Sequence, residues 1–271
     1  MSNQELKLDL AYKLESNFIN SFRCVDDIKD AVFWEDDTTA GFITGYTDPY
    51  LNCVFKFNSN SANVTDEIKQ VIKRFKDRQC PASWFVGRHT LNPELIKETL
   101  KNLGLKHSNT SGNYVGMEMD KSKFHYSQAL PELRIERVDN KVKIKDFLKP
   151  FQIGFEMPEQ SVNYFELYMQ SRLKNPNREG WFIGYVDQAP ASISGYFIDS
   201  DVIMIHSVAT IPEYRRKGYA RRMNEVILSE TSKFGDLPVT IYGSKMSTNL
   251  YRNMGFSDLY VMENYLFQPS T

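Results

Sequence analysis

The chain has 271 residues, of which 41% are hydrophobic and 25% charged, enough apolar material for two compact domains of ordinary size. A formal net charge of -1 excludes the broad basic surface that nucleic-acid or anionic-membrane binding needs, while leaving room for a local basic patch. The three cysteines, Cys24, Cys53 and Cys80, form no Cys-x-x-Cys pair, and no apolar run approaches the roughly 20 residues that span a bilayer, so a reduced cytoplasmic protein is expected, without a metal centre or membrane span.

The N-terminal run MSNQELKLDLAYKLESNF carries acids throughout and has no continuous apolar core, so no secretory leader is expected. Ile68, Val71, Ile72 and Phe75 stand at helical spacing within residues 67–75. Residues 81–87 read as a strand between breakers. Asn92-Pro93 then opens a helix that closes at Leu103-Gly104-Leu105, and residues 114–119 read as a further strand. The polar segment 120–131 ends in proline and sets the expected domain boundary, giving domains of 1–125 and 131–271.

The second half restates the pattern. Residues 133–138 alternate as a strand, and residues 162–173 have helical periodicity. Residues 181–186 and 192–198 form a predicted hairpin around Asp187-Gln188, and a strand over 202–210 follows the short turn Asp199-Ser200-Asp201. Met223, Val226, Ile227 and Phe234 then mark one face of a helix ended by Gly235, followed by a β-rich run at 239–242 and a helix at 250–254 stopped by Gly255. Alternation of this kind points to a mixed α/β sheet in each half.

The run Thr210-Ile211-Pro212-Glu213-Tyr214-Arg215-Arg216-Lys217-Gly218-Tyr219-Ala220 joins a strand end to the start of an amphipathic helix. A helix start offers unpaired N–H groups and partial positive charge, which suits a phosphate. Gly218 permits a tight turn, small Ala220 permits close approach, and Arg215, Arg216, Lys217, Arg221 and Arg222 concentrate cations on a chain that is otherwise neutral.

This run resembles the acyl-CoA-binding signature of the GCN5-related N-acetyltransferases (GNAT), Arg/Gln-x-x-Gly-x-Gly/Ala, with Arg215, Gly218 and Ala220 in its three defined places. Downstream, Leu250-Tyr251-Arg252-Asn253-Met254-Gly255-Phe256 resembles the family's second signature, Leu-Tyr-x-x-x-Gly-Phe, and the likeness extends over about residues 133–267. The resemblance implies that amides of Arg216, Lys217, Gly218, Tyr219, Ala220 and Arg221 hold the pyrophosphate of acetyl-CoA. The strand edge at Val208, Ala209 and Thr210 would pair with the pantetheine arm. It further implies that Tyr251 serves the departing thiolate. Ser244 stands where many relatives carry asparagine, and can still bond the coenzyme or a water.

The base is less legible. Met204 stands near the place where some members carry glutamate, and His206, two residues on, points to the same face and titrates in a useful range. Glu156, Asp199 and a water relay are the alternatives. The first half has neither signature, but its order of elements resembles the degenerate N-terminal domain of tandem members. The expected whole is two tandem α/β domains, the second transferring an acetyl group from acetyl-CoA to a primary amine of a small molecule or peptide. A catalytically idle acyl-CoA sensor or scaffold is the competing expectation. No nucleic-acid or membrane partner is expected, and monomer and homodimer are both compatible with the sequence.

Overall fold

The computed structural model describes residues 2–23, 28, 31–108, 113–173 and 178–269; Cys24 lies outside them. In chain order the elements are α1 (Asn3–Ser21), β1 (Val32–Glu35), β2 (Thr39–Ile43), β3 (Asn52–Phe57), α2 (Val64–Asp77), β4 (Ala82–Val86), α3 (Pro93–Asn102), β5 (Lys106–His107) and β6 (Asn113–Met119). They continue with β7 (Arg134–Arg137), α4 (Lys141–Phe155), α5 (Glu159–Arg172), β8 (Glu179–Val186), β9 (Ala189–Asp199), β10 (Val202–Thr210), α6 (Tyr219–Thr231), β11 (Val239–Gly243), α7 (Thr248–Arg252) and β12 (Phe256–Phe267).

Two compact units result: Met1–Gly116 with Ser244–Met246 and Leu259–Thr271, and Met117–Gly243 with Ser247–Asp258. This differs from the expected division into 1–125 and 131–271. The end of the chain completes the first unit, because β12 pairs antiparallel with β4 from Glu263↔Val86 to Phe267↔Ala82. Its Tyr265 and Phe267 enter the core that α2 builds from Ile68, Val71, Ile72 and Phe75. The polar stretch expected to hold the domain boundary groups with the second unit, where Ser127 donates through N and Oγ to the buried Glu225 carboxylate, each at 2.9 Å.

In the first unit the strands run β1-β2-β3-β4-β12, with β3 and β4 parallel. A parallel bridge, Phe57↔Thr90, and a bond from Leu91 N–H to the Phe57 carbonyl (3.0 Å) keep the two chains together beyond the strands. Helix α1 begins at a capping box, in which Ser2 Oγ accepts from Glu5 N–H and Glu5 returns a bond to Ser2 N–H. It carries Glu15, whose buried carboxylate accepts from the N–H groups of Arg88 (2.6 Å) and His89 (2.9 Å).

The second unit orders its strands β11-β10-β9-β8-β7, parallel only between β10 and β11 among these pairs. The β8–β9 and β9–β10 turns each place two residues at positive φ, Asp187-Gln188 and Ser200-Asp201. That geometry matches the twist of a hairpin. Side chains alternate between faces along a strand. Trp181, Ile183 and Tyr185 of β8 therefore meet Phe147, Phe151 and Met169 of α4 and α5 on one face. Ser194 of β9 reaches Asn224 of α6 on the other (3.0 Å). Gly154 lets α4 lie against β10, since a Cβ there would stand 2.6 Å from the Ala209 methyl. The sequence reading missed α4, whose Ile144, Phe147, Leu148 and Phe151 are apolar at helical spacing around Pro150.

Candidate functional site

Strand β10 is the element on which the site depends. It pairs with β9 from Val202↔Asp199 to His206↔Gly195, shifts register, and resumes at Ala209↔Ile193 and Thr210↔Ser192. The shift is a bulge, with Ser207 at φ +53°. On its other side β10 pairs with β11 only at Ile203↔Val239, Met204↔Thr240 and Ile205↔Ile241. Beyond Ile205 the described register with β11 ends, so Val208, Ala209 and Thr210 turn one edge towards an opening.

The chain leaves that opening through the short 3-10 turn Pro212–Tyr214 and enters α6. Arg216 (φ +64°) and Gly218 (φ +85°) are left-handed, and Gly218 is the N-cap with no side-chain cap bond. A Cβ at Gly218 would meet only Leu130 Cδ1 at 3.7 Å, so it is the backbone conformation, not crowding, that requires glycine here. The first N–H groups of α6 thus start from a glycine that offers no side-chain cap, which fits a phosphate.

The basic patch is smaller than the sequence implied. Glu225, fully buried, pairs with Arg221 Nε and Arg222 Nη1, each at 3.0 Å. Arg221 also bonds the carbonyls of His125 and Asn253, and Arg215 Nε donates to the Thr210 carbonyl (2.9 Å). These arginines build the loop. Lys217 lies over the Tyr214 ring, and Tyr219 is buried, its hydroxyl 3.3 Å from Glu132. Exposed Arg216 and Lys217 supply the local charge, beside half-buried Ala220.

Tyr251 of α7 is 3% exposed and packs against Phe256. Burial pushes its phenol up to about 12, with a Ser247 side-chain hydrogen bond acting the other way. It is a neutral phenol throughout the physiological range. Ser244, half-buried just past β11, falls in the segment Ser244–Met246 that groups with the first unit, whereas Tyr251 belongs to the second.

His206 lies on the face covered by α4 and α5, opposite Gly195. Its Nδ1 stands 2.9 Å from Ser207 Oγ, and its buried Nε2 has no hydrogen-bond partner among the described residues. Burial, the largest effect, pulls the ring down to about 4. Glu179 Oε1 is 3.7 Å from Nε2. Sequence reasoning missed this carboxylate because the strand was expected to start at Trp181. Its place two residues earlier, on the same face, was the available signal. Met204 is buried, Asp199 is held by Arg178 (3.2 Å) and Ser200 (2.8 Å), and Glu156 is an exposed helix end at φ +53°.

Cavities of about 360 and 420 Å³ in the second unit are lined by none of the expected site residues. Among the described residues there is no group of three or more His, Cys, Asp or Glu side chains suited to a metal, and no helix long and apolar enough to cross a membrane.

Residues 144–256 match the sequence profile described as the acetyltransferase (GNAT) family. Among solved structures, a GCN5-related N-acetyltransferase from Kribbella flavida superposes at a TM-score of 0.65 with 13% identity, covering 97% of this chain and 96% of that one. A functionally unknown conserved protein from Staphylococcus epidermidis ATCC 12228 gives 0.64 at 16% identity, over 93% and 100%. A tandem GNAT protein from the clavulanic acid biosynthesis pathway gives 0.64 at 8% identity, over 97% and 98%. No curated protein matches.

Proposed function

Residues 144–256 belong to the acetyltransferase (GNAT) family, and from that premise we propose that the second unit transfers an acetyl group from acetyl-CoA to a primary amine of a small molecule or peptide. The tandem fold, which spans the chain, gives the architecture and not the substrate. The observation that carries the proposal is the parting of β10 from β11 after Ile205, followed directly by the uncapped start of α6. An edge and an anion cradle in that order suit an extended arm ending in a pyrophosphate.

In this reading the amides of Arg216 to Arg221 would hold the pyrophosphate, and the edge at Val208, Ala209 and Thr210 would pair with the arm like an added strand. Acetyl-CoA supplies an activated thioester when bound. Tyr251, neutral and buried, gives its proton to the departing sulfur. His206 takes the proton that the acceptor's ammonium must lose before it can attack. Ser244 has no part in this assignment.

The test is a panel of primary amines incubated with acetyl-CoA while release of free thiol is followed. At least one amine is expected to raise the release well above the rate without protein. The burial of Tyr251 and its bond to Ser247 favour one second reading, an acyl-CoA-binding sensor without turnover. Tight binding with no thiol release across the panel would establish that alternative and remove the transferase assignment.

A further inference from the structure

Resting on that reading and adding a residue it does not use, we infer that Glu179 is the positioning residue of the proton acceptor: it fixes His206 and supplies the counter-charge for the imidazolium that forms there. Glu179 opens β8 and is 4% exposed. Helix α5 pins its carboxylate from above, through Arg172 Nε at 2.7 Å and the Tyr168 hydroxyl at 3.2 Å. One carboxylate oxygen then stands 3.7 Å from the buried Nε2 of His206, which has no hydrogen-bond partner among the described residues.

The ring lies against Gly195, where a Cβ would come within 2.9 Å of its Cε1. Its other nitrogen, Nδ1, meets Ser207 Oγ at the bulge, close to where β10 parts from β11. The ring therefore has one end against a buried carboxylate and the other near the opening, with 22% of its side chain exposed. A buried charge is costly unless it is paired. A proton arriving at Nδ1 makes a cation whose Nε2–H faces Glu179, and that pairing lowers the cost of holding the proton.

The step balances as follows. The N–H bond of the acceptor ammonium breaks, and its electron pair stays on nitrogen as the attacking lone pair. Ser207 accepts that proton as it passes its own to Nδ1. The neutral imidazole becomes an imidazolium beside the carboxylate, and the proton later returns to water. The groups facing the pair are Tyr164, Tyr168 and Arg172 from α5 and the Tyr196 backbone from β9. Burial displaces Glu179 upward and His206 downward.

The experiment uses the full chain without any acceptor, so its failure is separable from failure of the transferase reading. Imidazole resonances of the four histidines are followed by nitrogen NMR against pH, with His206 identified by its loss in His206→Asn. The ring of the wild type should titrate well below the ordinary imidazole range, near pH 4. Glu179→Gln should move that midpoint further towards acid by about 1 unit or more. An unmoved midpoint overturns the proposal. Should Glu179→Gln fail to fold, Glu179→Asp keeps the charge on Arg172 but withdraws it from the ring. Its midpoint must also move, and an unmoved one overturns the proposal equally. With an amine acceptor in hand, Glu179→Gln and His206→Asn should each lower turnover, and the double variant should lose no more than His206→Asn alone. Additive losses would make Glu179 an anchor for α5 and nothing more.

Discussion

Tyr251 keeps its proton up to about pH 12 because burial strips the phenolate of solvent, and a phenol that holds its proton is the form a departing thiolate requires. Tyr251→Phe preserves the packing on Phe256 and isolates the hydroxyl. Turnover at saturating acetyl-CoA should fall on the order of 100-fold, with affinity for acetyl-CoA nearly unchanged. Wild-type turnover under conditions where chemistry is limiting would make the phenol structural. Tyr251 was legible in the sequence because its motif is contiguous, a helix and its glycine stop in seven residues. Glu179 was not, because its significance depends on His206 and on Arg172 of α5, neither adjacent in the chain. Glu225 was overlooked although its signal is local, whereas its bonds to Ser127 are distant in the chain. Its neutralisation of Arg221 and Arg222 is a helical i, i+3 and i+4 relation within the predicted helix.

The elements β8 and β10 bring together two groups with opposite pH behaviour. Burial raises Glu179 from 4.5 to about 7, so the native state holds a proton that the unfolded chain releases. That contribution is fully present below 4.5 and is lost as pH rises through 7. Burial lowers His206 from 6.5 to about 4, so its contribution is present above 6.5 and is lost as pH falls through 4. Each is on the order of 3 kcal/mol, and their windows overlap, so between pH 4.5 and 6.5 they nearly cancel. Glu179→Gln should unmask the histidine, and denaturant unfolding should then show stability climbing with pH across that interval. A variant with the same pH dependence as the wild type would contradict the assignment. At this scale the strands of the second half were legible, because alternation and two-residue turns are local signals. The bulge at Ser207 was not, since serine carries no left-handed signature and only the register against β9 reveals it. Helix α4 was missed because Pro150 and its four lysines obscure an apolar stripe that tertiary packing on β8 and β9 makes decisive.

Across the whole molecule, the two units treat the same parallel strand pair differently. In the second, β10 and β11 separate and α6 starts on an uncapped left-handed glycine. In the first, β3 and β4 stay tied through Phe57↔Thr90, and Glu15 already occupies the N–H groups of Arg88 and His89. Part of the order of helices and strands could be read from the sequence: α2, β4, α3 and β6 in the first half and most of the elements of the second, but not α1, β1 to β3, α4 or β12. The return of β12 to β4 could not, because a pairing between residues so far apart leaves no local trace. The proposed function therefore expects one binding site per chain. The most direct measurement is titration calorimetry of acetyl-CoA into the full chain and into Gly218→Glu. At φ +85° any side chain is strained, and a carboxylate there would repel the pyrophosphate. One equivalent bound with a Kd on the order of micromolar, and no detectable binding by a folded Gly218→Glu, is the expected result. Two equivalents, or equal affinity in the variant, would contradict the assignment of the site to the start of α6.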